Sequence, residues 1–489
     1  MTVKWLGYAP DADEKIQGIW TNCANVVPTL KGFKGAPTPQ TGELNTAVAS
    51  TVTGSSVIRK LDDTIRVFVG TETKLYEAGA TSWTDRTRAS GGDYSLGAQD
   101  RWRFAQFSDN TLAVAKTDTL QRSTTGAFAD VSGAPKASIV ETVNNFAFLF
   151  DTNEATYGDS PNRWWCSALG DETDWTVDVA TQCNTGILTA TGGRITGGRR
   201  FGEGIIAYKR KSMYWGVYVG PPAIWEFRLI PGEVGAISHD AIVDISTSSN
   251  PMHIFMGDDD FYLFDGARPI PIGDGRVKQT VFGQLSRSNQ KLSCAAHDQN
   301  ASIVYFFYPS AAGNQLDKCV VYNYKTDTWG RDDRTIQFAF NYITPTTTYA
   351  DVGDLYSTYD SLPEIEYGSA FLSANQPTPA IYNGTNILQQ LNGSSSTSSI
   401  TTGDHGDDDM QTLLHRVKIS YISNPTTSQM TNLYKLDSGD SETTDQTVSA
   451  SSDRFDVLRE ARWHRFQFEF TGDWEGSGHR VGLEPGGNE

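Results

Sequence analysis

The chain has 489 residues and a formal net charge of −18, with 40 Lys and Arg set against 58 Asp and Glu. Apolar residues at 38% and aromatic residues at 11% supply a packed core and exclude wholesale disorder. So acidic a composition also excludes a protein built to grip nucleic-acid backbones, because such affinity comes largely from Lys and Arg neutralising phosphates.

Residues 1–45 contain Pro28, Pro37, Gly32 and Gly35 around short apolar runs. They read as an extended N-terminal arm with one short strand, suited to pairing with a sheet elsewhere or with a neighbouring subunit. From 46 to 392 the pattern is almost entirely β, as hairpins at 65–69 with 74–76, 102–107 with 111–115, 138–143 with 146–150, 204–208 with 212–218, 253–256 with 261–264, 302–308 with 319–322, and 368–372 with 380–382. Alternating apolar residues and short polar loops such as Ser108-Asp109-Asn110 are strand and hairpin signals. One weak helix signal covers 276–290.

A strand–turn unit ending in tryptophan recurs, closing at Trp83, Trp175 and Trp329. A Trp after a Thr/Ser/Asp turn can lay its ring over the hairpin that it closes. Weak self-similarity at a few tens of residues is the mark of a propeller or solenoid, and an array that must hide its edges closes best in a circle. The expected fold is therefore all-β, a propeller of six or seven hairpin units over 46–392, with a tandem of β-sandwiches as the alternative. Asn392–Ser399 shifts to a polar, Ser-rich composition, so 393–403 reads as a flexible connector. Strands at 414–422, 455–458 and 463–472 then suggest a C-terminal β-sandwich over 404–489, and residues 390–489 hold sixteen Asp and Glu against eight Lys and Arg.

No chemistry-bearing constellation is legible. His239, His253, His297, His405, His415, His464 and His479 lack metal-ligand spacing, and the five cysteines show no CxxC. That composition points to free buried thiols in a reducing compartment rather than to disulfides or zinc. There is no nucleophile elbow and no P-loop, and none of the three Trp turns carries the Ser-x-Asp-x-Gly-x-x-Trp box of sialidase-type propellers. The Gly-rich run Gly192–Arg200 lacks the Lys-Ser/Thr of a phosphate cradle and reads as a loop between blades. Asp258-Asp259-Asp260 and the Asp404–Asp409 run lack Ca²⁺-loop spacing and read as solvated turns. No catalytic, cofactor or metal residues are expected, and neither is a membrane span or an apolar signal core. The cations that stand out are Arg199 and Arg200 together with Lys209, Arg210 and Lys211, a candidate contact for DNA or a neighbouring subunit.

The opening Tyr8–Asp13, the stretch Asn22–Pro37, the run Tyr382–Thr385 through Leu391–Gly393 into Ile400–Asp404, and the terminal Ala461–Phe466 with Thr471-Gly472 together resemble the tail nozzle (tail-hub) proteins of short-tailed bacteriophages. The resemblance implies a propeller-containing structural virion protein, not an enzyme. It implies six copies in a homohexameric ring below the portal and adaptor, with tail fibre, spike or needle proteins as neighbours. The ring would be assembled in the host cytoplasm and would continue the channel for packaged DNA, which passes without tight binding. The rival expectations are a receptor-binding or glycan-degrading tail fibre or tailspike, and a propeller that serves as an interaction scaffold.

Overall fold

The computed structural model describes residues 2–247, 250–343, 377–437 and 439–486. The fold is a β-propeller joined to a two-sheet C-terminal domain. Six four-stranded sheets stand free, and a seventh four-stranded unit continues into a larger sheet. From inner to outer strand, blade 1 is Val52–Arg59, Ile65–Thr71, Leu75–Ala78 and Trp83–Asp85. Blades 2, 3, 4 and 5 start on inner strands Arg103–Phe107, Lys136–Val143, Ile195–Phe201 and Ile242–Asp244. Blade 6 starts at Cys294–Asp298 and blade 7 at Ile336–Tyr342. Each inner strand packs against the next, and that of blade 7 packs back on blade 1, so the ring is closed. Between blades 5 and 6 lies a short helix, Lys278–Gln284, inside the span of the helix signal.

The middle strands are almost wholly buried because blades pack face to face: all seven residues of Ile65–Thr71 and all six of Gly204–Lys209 and Ile303–Tyr308 are covered. The inner strand of blade 4 carries two glycines at close approaches. A Cβ on Gly197 would lie 2.4 Å from Ile242 Cδ1, and one on Gly198 2.5 Å from Phe150 Cε2. That close approach explains Gly197 and Gly198 of the Gly-rich run; Gly192–Arg194 crosses between blades, and Ile195–Phe201 is an inner strand rather than a loop.

Three expected boundaries are corrected. Residues 1–45, expected as an extended arm with one short strand, carry six short strands woven into three sheets elsewhere in the chain. Thr38–Gln40 is the outer strand of blade 7, paired with Leu388–Gly393, so the N-terminal segment closes the ring. Val26–Pro28 and Phe33–Gly35 bridge the outer strand of blade 6, Thr328–Arg331, to the long C-terminal strand Glu475–Pro485. The supposed connector contains Thr397–Thr402, a strand paired on both sides, with Ile19–Ala24 and Trp463–Thr471. The C-terminal unit is therefore built from both ends of the chain: Gly7–Tyr8 and Ile19–Ala24 in one sheet, Thr2–Lys4, Val26–Pro28 and Phe33–Gly35 in the other. The expected strand at 368–372 lies outside the described residues. Its supposed partner belongs to Thr378–Asn383, which pairs with Ile336–Tyr342.

One apolar core runs through the junction of propeller and C-terminal unit, holding Trp5, Trp20, Phe33, Phe261, Phe306, Trp329, Phe466 and Trp474. Trp5 meets Trp20 edge-on at 5.4 Å, and Trp20 tilts over Phe33 at 4.3 Å. Trp83 opens the fourth strand of blade 1 and Trp329 lies in the fourth strand of blade 6, Thr328–Arg331, whereas Trp175 falls in the loop between the third and fourth strands of blade 3. Trp329 and Trp175 are buried, at 1% and 4% exposure; Trp83 is only half-buried. Trp329 tilts over Tyr322 at 4.5 Å and donates to Ile272 O at 3.2 Å, tying blade 6 to blade 5. Trp175 donates to Glu172 O at 2.8 Å within its own loop, whereas Trp83 donates to Thr46 O at 3.0 Å. Truncating Trp329 or Trp175 to Ala is expected to cost about 3–5 kcal/mol each, and Trp83 less, read as shifts in denaturant midpoint.

Candidate functional site

Inner strands of a propeller converge on its axis, and here the axis is closed by charge. Arg103, the first residue of the blade 2 inner strand, reaches across to Asp240 in the 3-10 turn His239–Ala241 that leads into blade 5. Its Nη2 lies 3.0 Å from Oδ2 and its Nε 3.4 Å from Oδ1, while Nη1 donates to Ser138 O at 2.6 Å in blade 3. Both partners are nearly buried, at 12% and 9% exposure. Two residues earlier, Arg101 also crosses the axis. Its guanidinium donates to Leu292 O at 3.2 Å and Gln337 O at 3.4 Å, at the heads of the blade 6 and blade 7 inner strands. It also lies over the Phe338 ring at 5.2 Å. Alternation places Arg101 and Arg103 on one face of the strand with Trp102 on the other, buried among blade 1 and blade 2 residues.

Around this closure stand further charges. Asp151, held in a left-handed backbone conformation at φ 57°, accepts from Lys116 at 2.8 Å, Arg194 at 3.0 Å and Ser138 Oγ at 2.6 Å. On the other side of the Arg103–Asp240 pair, Arg199 faces Glu141 at 3.7 Å, and burial pushes the Glu141 carboxyl up. Breaking a nearly buried pair strands its partner. Arg103→Met or Asp240→Asn alone is thus expected to cost about 3–5 kcal/mol, and the double variant Arg103→Met/Asp240→Leu distinctly less than their sum, as denaturant melts will read.

The five cations singled out from sequence do not form one patch. Arg199 and Arg200 lie toward the end of the blade 4 inner strand, where Arg200 pairs with Ile205; Lys209 pairs with Ile195 at the other end of that hairpin. Lys209 is fully buried, donating to Leu188 O and Thr191 O, both at 2.7 Å, and so pins the crossover between blades 3 and 4. Arg210 lies 2.6 Å from Asp258 and Lys211 4.0 Å from it, which ties blade 4 to the turn between the second and third strands of blade 5. Arg200 is exposed and donates to Gly202 O at 3.0 Å.

The acidic runs are likewise partnered. Asp259 accepts from Tyr262 Oη at 2.9 Å, and Asp260 accepts from the backbone of Phe261 and Gly273. Glu14, Asp404 and Glu442 converge closely enough to suggest a metal site. Arg465 contacts all three, and Lys435 adds a second cation 3.1 Å from Asp404, so the cluster is an ion-pair knot binding the N-terminal segment to the C-terminal unit. All five cysteines are free and buried, and burial pushes the Cys183 thiol up to about 11. No helix among the described residues is long and apolar enough to cross a membrane.

No family model and no curated protein matches the chain. Among solved structures the chain is similar to YCF48 bound to a D1 peptide, at 12% identity over 74% of this chain and 97% of that one, with a TM-score of 0.37. It is similar to the extracellular domain of a putative one-component system from B. thetaiotaomicron at 8% identity, over 84% and 47% of the two chains, with a TM-score of 0.39. An exo-β-1,3-galactanase from Phanerochaete chrysosporium with galactose follows at 11% identity, over 91% and 100%, with a TM-score of 0.28.

Proposed function

We propose that the protein is a structural subunit of a short-tailed phage tail, one of six copies in a nozzle ring that continues the DNA channel below the portal and adaptor. The observation that carries this reading is the closed axis. With Arg103 and Asp240 bridging it, the propeller offers no conduit of its own, and in the proposed ring DNA would pass between copies. An acidic chain suits such a path, because it denies phosphates fixed cationic partners and lets DNA slide. Weaving both chain ends through one sheet system suits a part that bears load during packaging and ejection. The role is structural rather than enzymatic, in the virion tail, with fibre, spike or needle proteins as further neighbours.

Mass photometry of the purified protein tests the reading: a species of six times the 53.6 kDa chain mass is expected. A trimer would instead favour the fibre or tailspike reading, and a monomer at all concentrations the scaffold. Duplex DNA should bind more weakly than the roughly 10⁻⁴–10⁻⁶ M typical of non-specific binders at physiological salt. Submicromolar, salt-sensitive binding would overturn the passive conduit.

A further inference from the structure

Apart from Arg103, the cations around the closed axis have no role in either the fold-closing pair or the proposed conduit. At the end of the axis where the inner strands begin, a small open cavity of about 80 Å³ is lined by Arg101, Arg103, Lys116, Arg194 and Lys291, against Asp100 and Asp151. Five cations facing two carboxylates is a local reversal in a chain with 58 acids and 40 bases. Arg103 is matched by Asp240, Lys116 lies between Asp151 and Asp159, and Arg194 pairs with Asp151. Arg101 differs. It is only 7% exposed, its described contacts are carbonyls and a ring rather than a carboxylate, and its Nε, buried, has no hydrogen-bond partner among the described residues. Lys291 is half-buried beside it, and burial lowers its ammonium pKa. A buried guanidinium with no carboxylate hydrogen-bonded to it is costly, and an anion in the cavity would relieve it. Guanidinium forks favour oxyanions, which accept two parallel N–H bonds.

We propose that this cavity is a binding site for one compact oxyanion, a phosphate or a carboxylate, with Arg101 and Lys291 as its principal cations and Arg194 at its rim. The volume admits the anionic group itself, so a larger ligand would seat only that group and leave the rest in solvent. This assignment stands on the cavity alone and does not depend on whether copies form a ring.

Isothermal titration calorimetry with sodium phosphate, and separately with sodium glucuronate, tests it at ionic strength matched with sodium chloride. One saturable site per chain is expected for at least one of the two anions, and which one binds assigns the class. Lys291→Gln and Arg194→Gln should each weaken binding about tenfold or more. Arg228→Gln, on the outer strand of blade 4, should leave it unchanged. Arg194 is largely exposed, so its variant keeps the test independent of folding. Absence of saturable binding by both anions, or unchanged affinity in Lys291→Gln and Arg194→Gln, would overturn the proposal.

Discussion

Deletion of residues 1–40 is expected to abolish folding, not merely assembly. The segment supplies the outer strand of blade 7 and both strands that bridge blade 6 to Glu475–Pro485. It also supplies two strands of the second C-terminal sheet. With it go Trp5, Trp20 and Phe33, at 2%, 0% and 1% exposure. Rings of this size bury about 150–250 Å² each, so at about 25 cal/mol per Å² the three alone forfeit on the order of 10 kcal/mol. That matches the roughly 5–15 kcal/mol by which whole domains are stable. The truncated chain should lack near-UV circular dichroism and a cooperative thermal transition. A soluble product with both intact would show that the strands decorate a fold complete without them. From sequence the segment read as an arm that pairs with a sheet elsewhere or with a neighbouring subunit, and the strand it adds to blade 7 is the first of these.

Acid should destabilise the protein well before its exposed carboxylates titrate. His405 and His479 face each other through their Nε2 atoms at 3.1 Å, and Trp5 Nε1 donates to His479 Nδ1 at 2.9 Å. His479 therefore carries its proton on Nε2 and donates it to His405, and the pair persists only with both rings neutral. Burial holds His405 and His297 down to about 4, and lowers His239, His253, His464 and His479 as well. Between pH 6.5 and 4 the unfolded chain binds more protons at these sites than the folded one. Stability there rises with pH and is lost on acidification, by about 2 kcal/mol each for His405 and His297 on reaching pH 5. Asp260, raised to about 6 by burial, and buried Glu141 and Asp332 act in the opposite sense but are fewer. Denaturant midpoints should fall steeply from pH 7 to pH 5, and His405→Gln should flatten that slope. A midpoint unchanged across this range would mean that the rings are solvated.

The hairpins were legible because their signals are local: alternation over five to nine residues and a polar turn of two to four. The strand Trp463–Thr471 was legible from the alternation of Phe466, Phe468 and Phe470 with polar residues, although its first four residues are all buried. The N-terminal strands were not legible, since they are two to six residues long and their partners lie at the far end of the chain. Nothing in Thr38-Pro39-Gln40 announces pairing with Leu388–Gly393. The Ser-rich stretch at 393–403 misled for a related reason, because small polar residues suit a linker and a strand held on both sides equally well. The axial charges escaped because Arg103 and Asp240 are 137 residues apart, with no motif between them. One signal was present: Arg101-Trp102-Arg103 heading a strand that was itself recognised puts two cations on one face at the blade's inner edge. The basic run at 209–211 drew notice by adjacency, yet adjacency in a hairpin turn sends Lys209 into the core and Arg210 to a neighbouring blade.

How copies arrange around DNA decides the proposed role, and negative-stain class averages of the purified protein address that directly. Six-fold rings are expected, with the central opening bounded by several subunits and each propeller axis closed. Averages showing isolated or three-fold particles, or an open hole through the propeller itself, would contradict it.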